Sequence, residues 1–313
     1  MATFPSNPGQ REGSGDDFEL FLTQFAGEIL TQFDAQNKVL PRVTQRTISN
    51  GRSAQFPVIG DTTAKYHAPG TEIEGTPIVH NEVTLTVDMP LIADVFIANI
   101  QEAMNHYEVR APYARKLGNA LANTLDRHLL QTAVQAARGA ARISTDFGGT
   151  VLSVPSLDTD MDALVESFFN AATVLDDKNV PEDGRFAFLR PAIYNRLAQN
   201  TKVLNKDWGG AGVFAEGKVL RVAGIELLKS THVPSTVVPD GSLGAGYGNK
   251  YGGDFTKTVG VVFTEDTVGN LKLMDIQMEH EYSVRWQGTL MVAKYAMGHG
   301  VLNPATSVEL ASV

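Results

Sequence analysis

Thirteen consecutive residues, Met274 to Trp286, alternate without a break. Met274, Ile276, Met278, His280, Tyr282, Val284 and Trp286 take the even positions, and every odd position is polar. Side chains of a strand point to opposite faces in turn, so this register predicts one half-buried strand about 43 Å long. Strands of about 5–6 residues are usual. A strand this long needs an equally long layer beside it, and the chain offers one. Pro112 opens a run through Ala114, Leu117, Leu121, Leu125 and Leu129 that closes at Arg138 and Gly139. Proline suits a first helical turn, glycine a C-terminal cap, and a basic Arg138 the negative end of the helix dipole. A helix over 112–138 is about 40 Å long. The expectation is one elongated layer, with the helix lying on the sheet.

The remaining pattern divides around that layer. Residues to about Asp17 are rich in Gly, Pro, Ser and Asn and read as a tail. Phe18, Phe21, Phe25, Ile29 and Phe33 then recur at helical spacing and need a surface to cover. Ser53 to Ile59, with Pro57 inside it, and Ile78 to Val87 read as two strands of a hairpin. Their polar connection carries Gly60, Pro69, Gly70, Gly75 and Pro77. A two-stranded hairpin is marginal alone in water, so it must lean on something, and a neighbouring subunit is a natural support. Ile92, Val95, Phe96, Ile100, Met104 and Tyr107 fit a helix face. From Thr159, read as an N-cap, to about Thr264 the chain alternates helix and strand. Met161 to Leu175 is amphipathic, Arg185 to Arg190 a buried strand, Pro191 to Asn200 a short helix, and Val259 to Phe263 another buried strand. Val219 to Lys229 is a strand pair around Gly224, and Ser230 to Asp254 a glycine-rich loop. This segment is a compact α+β domain.

Composition narrows the function. The 313 residues are 43% hydrophobic and 19% charged, a globular balance that excludes a wholly disordered chain. There is no cysteine, which excludes disulfides, thiolate metal sites and cysteine nucleophiles. The net charge of −9 lacks the footprint of a dedicated nucleic-acid binder. No apolar run spans a bilayer and no secretory signal opens the chain, so a soluble intracellular product is expected.

Chemistry-bearing motifs fail one by one. GVFAEGKV at 212–219 matches a phosphate loop until Val219 stands where a Ser or Thr should hold magnesium, and strand-like sequence follows it. Gly244, Gly246 and Gly248 have the wrong spacing for a dinucleotide turn. The seven histidines contain no HExxH and no i, i+4 pair. His280 reads as a core histidine, and Asp176 with Asp177 and Glu279 with Glu281 as solvated pairs. No catalytic residue, cofactor or metal is expected.

Several blocks, in order, resemble one family. ISNGRSAQFPVIG (48–60), EAMNHYEVR (102–110) and AKYAMGHG (293–300) are similar to the major capsid protein of short-tailed phages of the coliphage T-odd group, as are ELFLTQFAGEILTQF (19–33) and VPEDGR (180–185). The resemblance implies the α+β Johnson fold of tailed-phage capsids, the Hong Kong phage type. Residues 1–45 would be tail and N-terminal arm, 46–90 the extended hairpin loop, 91–157 and 271–313 the peripheral domain with spine helix 112–138, and 158–270 the axial domain.

Assembly, with no turnover, is what this implies. Copies would form hexamers and pentamers closing an icosahedral head around packaged double-stranded DNA, with a scaffolding protein and a portal as partners and no membrane. The virion would be assembled in the host cytoplasm. Intersubunit contacts would fall on Phe18, Phe21, Phe25 and Phe33 of the arm and on Phe56, Tyr66, Glu72, Ile73 and Glu74 of the hairpin. Lys65 alone does not establish a covalent cross-link, and none is expected. A weakly acidic or neutral inward face would leave DNA free to move. The alternatives are an encapsulin-type compartment shell, a nucleotide-dependent enzyme using the 209–218 glycines, and a monomeric binding module.

Overall fold

A computed structural model describes residues 37–60, 62, 64–70, 72, 73, 75, 77–98, 110–199, 221–239 and 250–313. The expected arm helix, the 212–219 segment and the glycines at 244, 246 and 248 lie outside the described residues. In chain order, β1 is Thr44–Thr47, β2 Ser53–Ile59, β3 His80–Thr86 and β4 Leu91–Ala98. Helix α1 follows over Arg110–Ala137, then β5 (Thr150–Val154), α2 (Met161–Asp177), β6 (Arg185–Leu189) and α3 (Pro191–Leu197). Next come β7 (Arg221–Val222), β8 (Ile225–Lys229), β9 (Val237–Val238) and β10 (Gly253–Asp254). The chain closes with β11 (Thr258–Thr264), β12 (Val268–Ser283), β13 (Gly288–Val301) and β14 (Ser307–Ser312).

Two units form. Among the described residues, one draws on Met89–Leu125 and Met274–Ala296; the other takes Lys38–Asp88, Asp126–Leu273 and Met297–Val313. In the first, β13 pairs antiparallel with β4, from Gly288↔Ala98 to Tyr295↔Leu91. The helix expected over Ile92 to Tyr107 is therefore corrected to a strand at Leu91–Ala98, residues 99–109 lying outside the described ones. Ile92, Val95 and Phe96 fit both periods, but the run is short and rich in Ile, Val and Phe, and β13 supplies partners such as Met291 for Val95.

The long alternating run also needs correction. Strand β12 starts earlier, at Val268, and stops at Ser283. Gln287 adopts a left-handed φ of 46° just before β13 begins at Gly288. Val284 and Trp286 therefore sit exposed in the turn of a hairpin. His280 is exposed too, not in the core as expected, because Met274, Ile276 and Met278 are the last even positions that are even half-buried.

Helix α1 forms as expected, and Ala114, Leu117, Leu121, Leu125 and Leu129 are all buried. Its C-terminal part is enclosed on nearly every side, with Leu130, Ala133, Val134, Ala136 and Ala137 buried together with the polar Asp126, Gln131 and Thr132. That enclosure makes this part a core helix of the second unit, and its buried polar groups need partners there. Its end departs from the expectation in one respect. Arg138 does not serve its own carbonyls; Nε and Nη2 donate to the two carboxylate oxygens of Glu309, each at 2.6 Å.

The second unit is built on a six-stranded sheet in the order β5-β14-β11-β6-β8-β7. Every residue of β11 is buried, as its Val-Gly-Val-Val-Phe run demands. The last strand, β14, lies between β5, parallel to it, and β11, antiparallel. Helix α2 covers the sheet with Leu164, Phe168 and Leu175, and α3 adds Ile193, Tyr194 and Leu197 against Leu189, Val262 and Leu310. The N-cap of α2 is Asp160, not Thr159: its side chain accepts from the N–H groups of Asp162 and Ala163. Ala223 and Gly224, both at positive φ, turn β7 into β8 where Gly224 marked a turn.

Candidate assembly surface

The hairpin is the segment that most needs a partner. Strands β2 and β3 pair antiparallel from Ser53↔Thr86 to Ile59↔His80, with Pro57 tolerated because this sheet has only two strands and hence only edges. Its base leans on its own chain. Ala54, Val83, Leu85 and Val87 are buried, the alternation with Glu82, Thr84 and Thr86 placing them on one face. Arg46 reinforces the base from β1, donating to the Gln55 carbonyl at 2.7 Å with its guanidinium 5.3 Å from the Phe56 ring centre. At the neck, the Gly60 N–H donates to the Val79 carbonyl at 2.9 Å.

Beyond the neck several apolar side chains are exposed. Tyr66 is fully exposed (108%) and Ile73 is 72% exposed; Ile59, Ile78 and Val79 are exposed beside them. Single exposed apolar side chains are ordinary, but five along one hairpin are a candidate surface. Of the expected contact residues, the structure brings Tyr66, Glu72 and Ile73 to that exposed tip and leaves Phe56 half-buried at the base. Phe18, Phe21, Phe25, Phe33 and Glu74 lie outside the described residues. Ile59 and Val79 were not singled out in the sequence, although both flank the neck glycine and the polar connection.

Polar groups on one turn of α1 hold the Lys38–Val39 segment and the exit of the hairpin. The buried Asp126 carboxylate accepts the backbone N–H of Lys38 at 3.1 Å and of Val39 at 3.3 Å, and burial pushes its pKa up to about 6. One half-turn on, His128 stacks on Tyr251, centroids 4.3 Å apart and planes within 8°. The Tyr251 hydroxyl donates to Asp88, which also pairs with Lys250 at 2.8 Å. Burial drives the His128 pKa down to about 4 against an upward pull from Asp88, and drives fully buried His299 well below the ordinary histidine range. None of this was legible in the sequence, because these residues come from separate parts of the chain.

No group of His, Asp and Glu fit to hold a metal ion occurs among the described residues. The two carboxylate pairs divide their labour. Asp176 pairs with Arg185 at 2.7 Å and Glu279 with Lys294. No helix of the described residues is long and apolar enough to cross a membrane.

A major capsid protein family, Gp10A-like, matches residues 55–311. The chain belongs to this family. It is 31% identical to the major capsid protein of Escherichia phage T7 over 314 aligned residues, covering 93% of this chain and 91% of that protein. The capsid structure of the cyanophage P-SCSP1u is similar at 38% identity with a TM-score of 0.80, covering 100% of this chain and 99% of that one. A virus-like particle from Pyrococcus furiosus shares the fold alone, with a TM-score of 0.59 at 12% identity over 93% of this chain and 99% of that one. The fold is thus the α+β Hong Kong phage type, and this capsid protein is a structural subunit of a multimeric phage shell.

Proposed function

We propose that this capsid protein closes an icosahedral head from hexamers and pentamers, around packaged double-stranded DNA, with a scaffolding protein and a portal as assembly partners. What carries the reading is the hairpin tip, whose Tyr66 and Ile73 side chains are left exposed by the described residues. In a shell the hairpin, with Phe56 at its base and Tyr66, Glu72, Ile73 and Glu74 at its tip, lies over an adjacent subunit, and the arm carries Phe18, Phe21, Phe25 and Phe33 to another. Residues 46–90 act as the extended loop, 91–157 and 271–313 as the peripheral domain, and 158–270 as the axial domain. Many modest contacts sum to a stable wall at interfaces of roughly 2,000–5,000 Å². With a net charge of −9, an inward face that does not grip phosphates suits a container that must fill and empty.

The compartment-shell alternative has no specific support, since the phage proteins are 31% and 38% identical and the virus-like particle from Pyrococcus furiosus, at 12%, shares the fold alone. The test is a double substitution, Tyr66→Ser with Ile73→Ser. The chain stays folded and soluble, because neither side chain is buried, while particles vanish from sedimentation profiles. Normal particle yield from the double variant contradicts the reading.

A further inference from the structure

The exit of the hairpin is more elaborately held than packing requires. The Asp88 N–H donates to the Met297 carbonyl at 3.1 Å, and Lys250 Nζ donates to the Thr86 carbonyl at 3.0 Å. The backbones are so close that a Cβ on Gly298 would lie 2.1 Å from the Thr86 carbonyl oxygen. Over this junction sits Tyr251. Its hydroxyl donates to Asp88 and accepts the His299 backbone N–H at 3.3 Å, while its ring is stacked on His128. His299 packs against the same tyrosine, centroids 5.9 Å apart, and is 2% exposed. Its Nδ1 is buried without a hydrogen-bond partner. A structural histidine normally satisfies its ring nitrogens, so this one stands out.

The charges around the two rings are unequal. His128 is faced by Asp88 at the hairpin exit, by Arg127 on its own helix and by Lys250 ahead of β10. His299 is faced by His128 and Lys250, both cationic when protonated. A proton on His299 therefore gains nothing from its neighbours, and a proton on His128 makes the second harder to place.

We propose that His128, Tyr251 and His299 form a proton-sensitive latch on the hairpin exit, closed while both imidazoles are neutral and opened as they take up protons. The consequence for assembly rests on reading 46–90 as the loop that reaches a neighbour; the latch itself does not. The direction follows from linkage. Both histidines titrate lower in the closed state than the ordinary 6.5, so the closed state carries no penalty above that value and loses ground below it. For His128, with its closed value about 4, a fall from pH 7.5 to 5.0 raises the opening constant about 30-fold, before any contribution from His299. The arm root behaves oppositely. Asp126 has a value of about 6, raised by burial against the pull of the Lys38 and Val39 N–H groups, so burial of its neutral form is favoured as pH falls and acid does not drive the arm root open.

The experiment is hydrogen–deuterium exchange of the full chain at pH 7.5 and 5.0, corrected for intrinsic exchange rates and run on particles and on the unassembled protein. Peptides containing the Asp88 amide should lose protection at least about 30-fold at pH 5.0, while those containing Val39 should not. His128→Phe keeps a ring on Tyr251 and removes the proton, and should cut the acid-induced change by about the same factor. Equal Asp88 protection at both pH values in the wild-type chain overturns the latch, whatever the variant does. So does simultaneous loss at Val39, which signals general acid unfolding. A chain that shows the latch but forms no particles refutes the assembly reading and leaves the latch standing.

Discussion

Removing the Arg138 side chain, as Arg138→Met, strikes the contact that joins the end of α1 to the last strand. Glu309 is 0% exposed and accepts three hydrogen bonds at 2.6 Å, two from Arg138 and one from the Thr258 hydroxyl. Without Arg138 a charged group stays buried with one hydrogen bond in place of three. Breaking a buried pair from one side costs about 3–5 kcal/mol. Arg138 is 36% exposed, so water screens part of its charge and the lower end, about 3 kcal/mol, applies. The lost bond to the Asp254 carbonyl at 2.6 Å and the position over the Phe255 ring add about 0.5–1 kcal/mol. Pulse proteolysis of the unassembled chain in urea reads this directly. With a slope near 3 kcal/mol per molar, the unfolding midpoint should fall by about 1 M. The double variant Arg138→Met with Glu309→Leu should recover most of the loss, because no charge is then stranded. A fall below about 0.3 M for the single variant, or no recovery in the double, refutes the reasoning.

Leu129→Ala empties a fully buried site in the core part of α1 and should cost about 2–5 kcal/mol in the same assay. Gly298→Ala drives a methyl group into the Thr86 carbonyl and should yield mostly insoluble chain; soluble protein with native circular dichroism would show that the β13 backbone can retreat. Asp160→Ala removes the α2 cap and should lower stability by about 0.5–2 kcal/mol, read as a shift of urea midpoint, with Thr159→Ala near neutral. Mature particles boiled in detergent should run as a single subunit band, and a covalent ladder on the gel would place Lys65 or another lysine in a cross-link.

Where the sequence was readable, one local pattern decided the outcome. Ser53–Ile59 paired as a hairpin strand because its alternation and turn residues agree, and α1 formed because its apolar stripe runs for seven turns. Where it misled, a distant partner decided. Leu91–Ala98 is a strand because β13, some two hundred residues later, offers it an edge. Arg138 is an ion-pair residue because β14 brings Glu309 to it across 171 positions. His280 keeps the alternation of its strand, yet nothing among the described residues buries that end. The exposed hairpin tip was legible as polar and glycine-rich, whereas the latch residues Asp88, His128, Tyr251 and His299 have no shared local signature and come together only through the fold.

The most direct test of the account is cryo-electron microscopy of particles formed by the full chain, alone and co-expressed with the proposed scaffolding partner. The account predicts closed shells with five- and six-fold capsomers, and density for Tyr66 and Ile73 seated against an adjacent subunit. A chain that stays monomeric under those conditions, or shells in which the hairpin tips stand free in solvent, would contradict it.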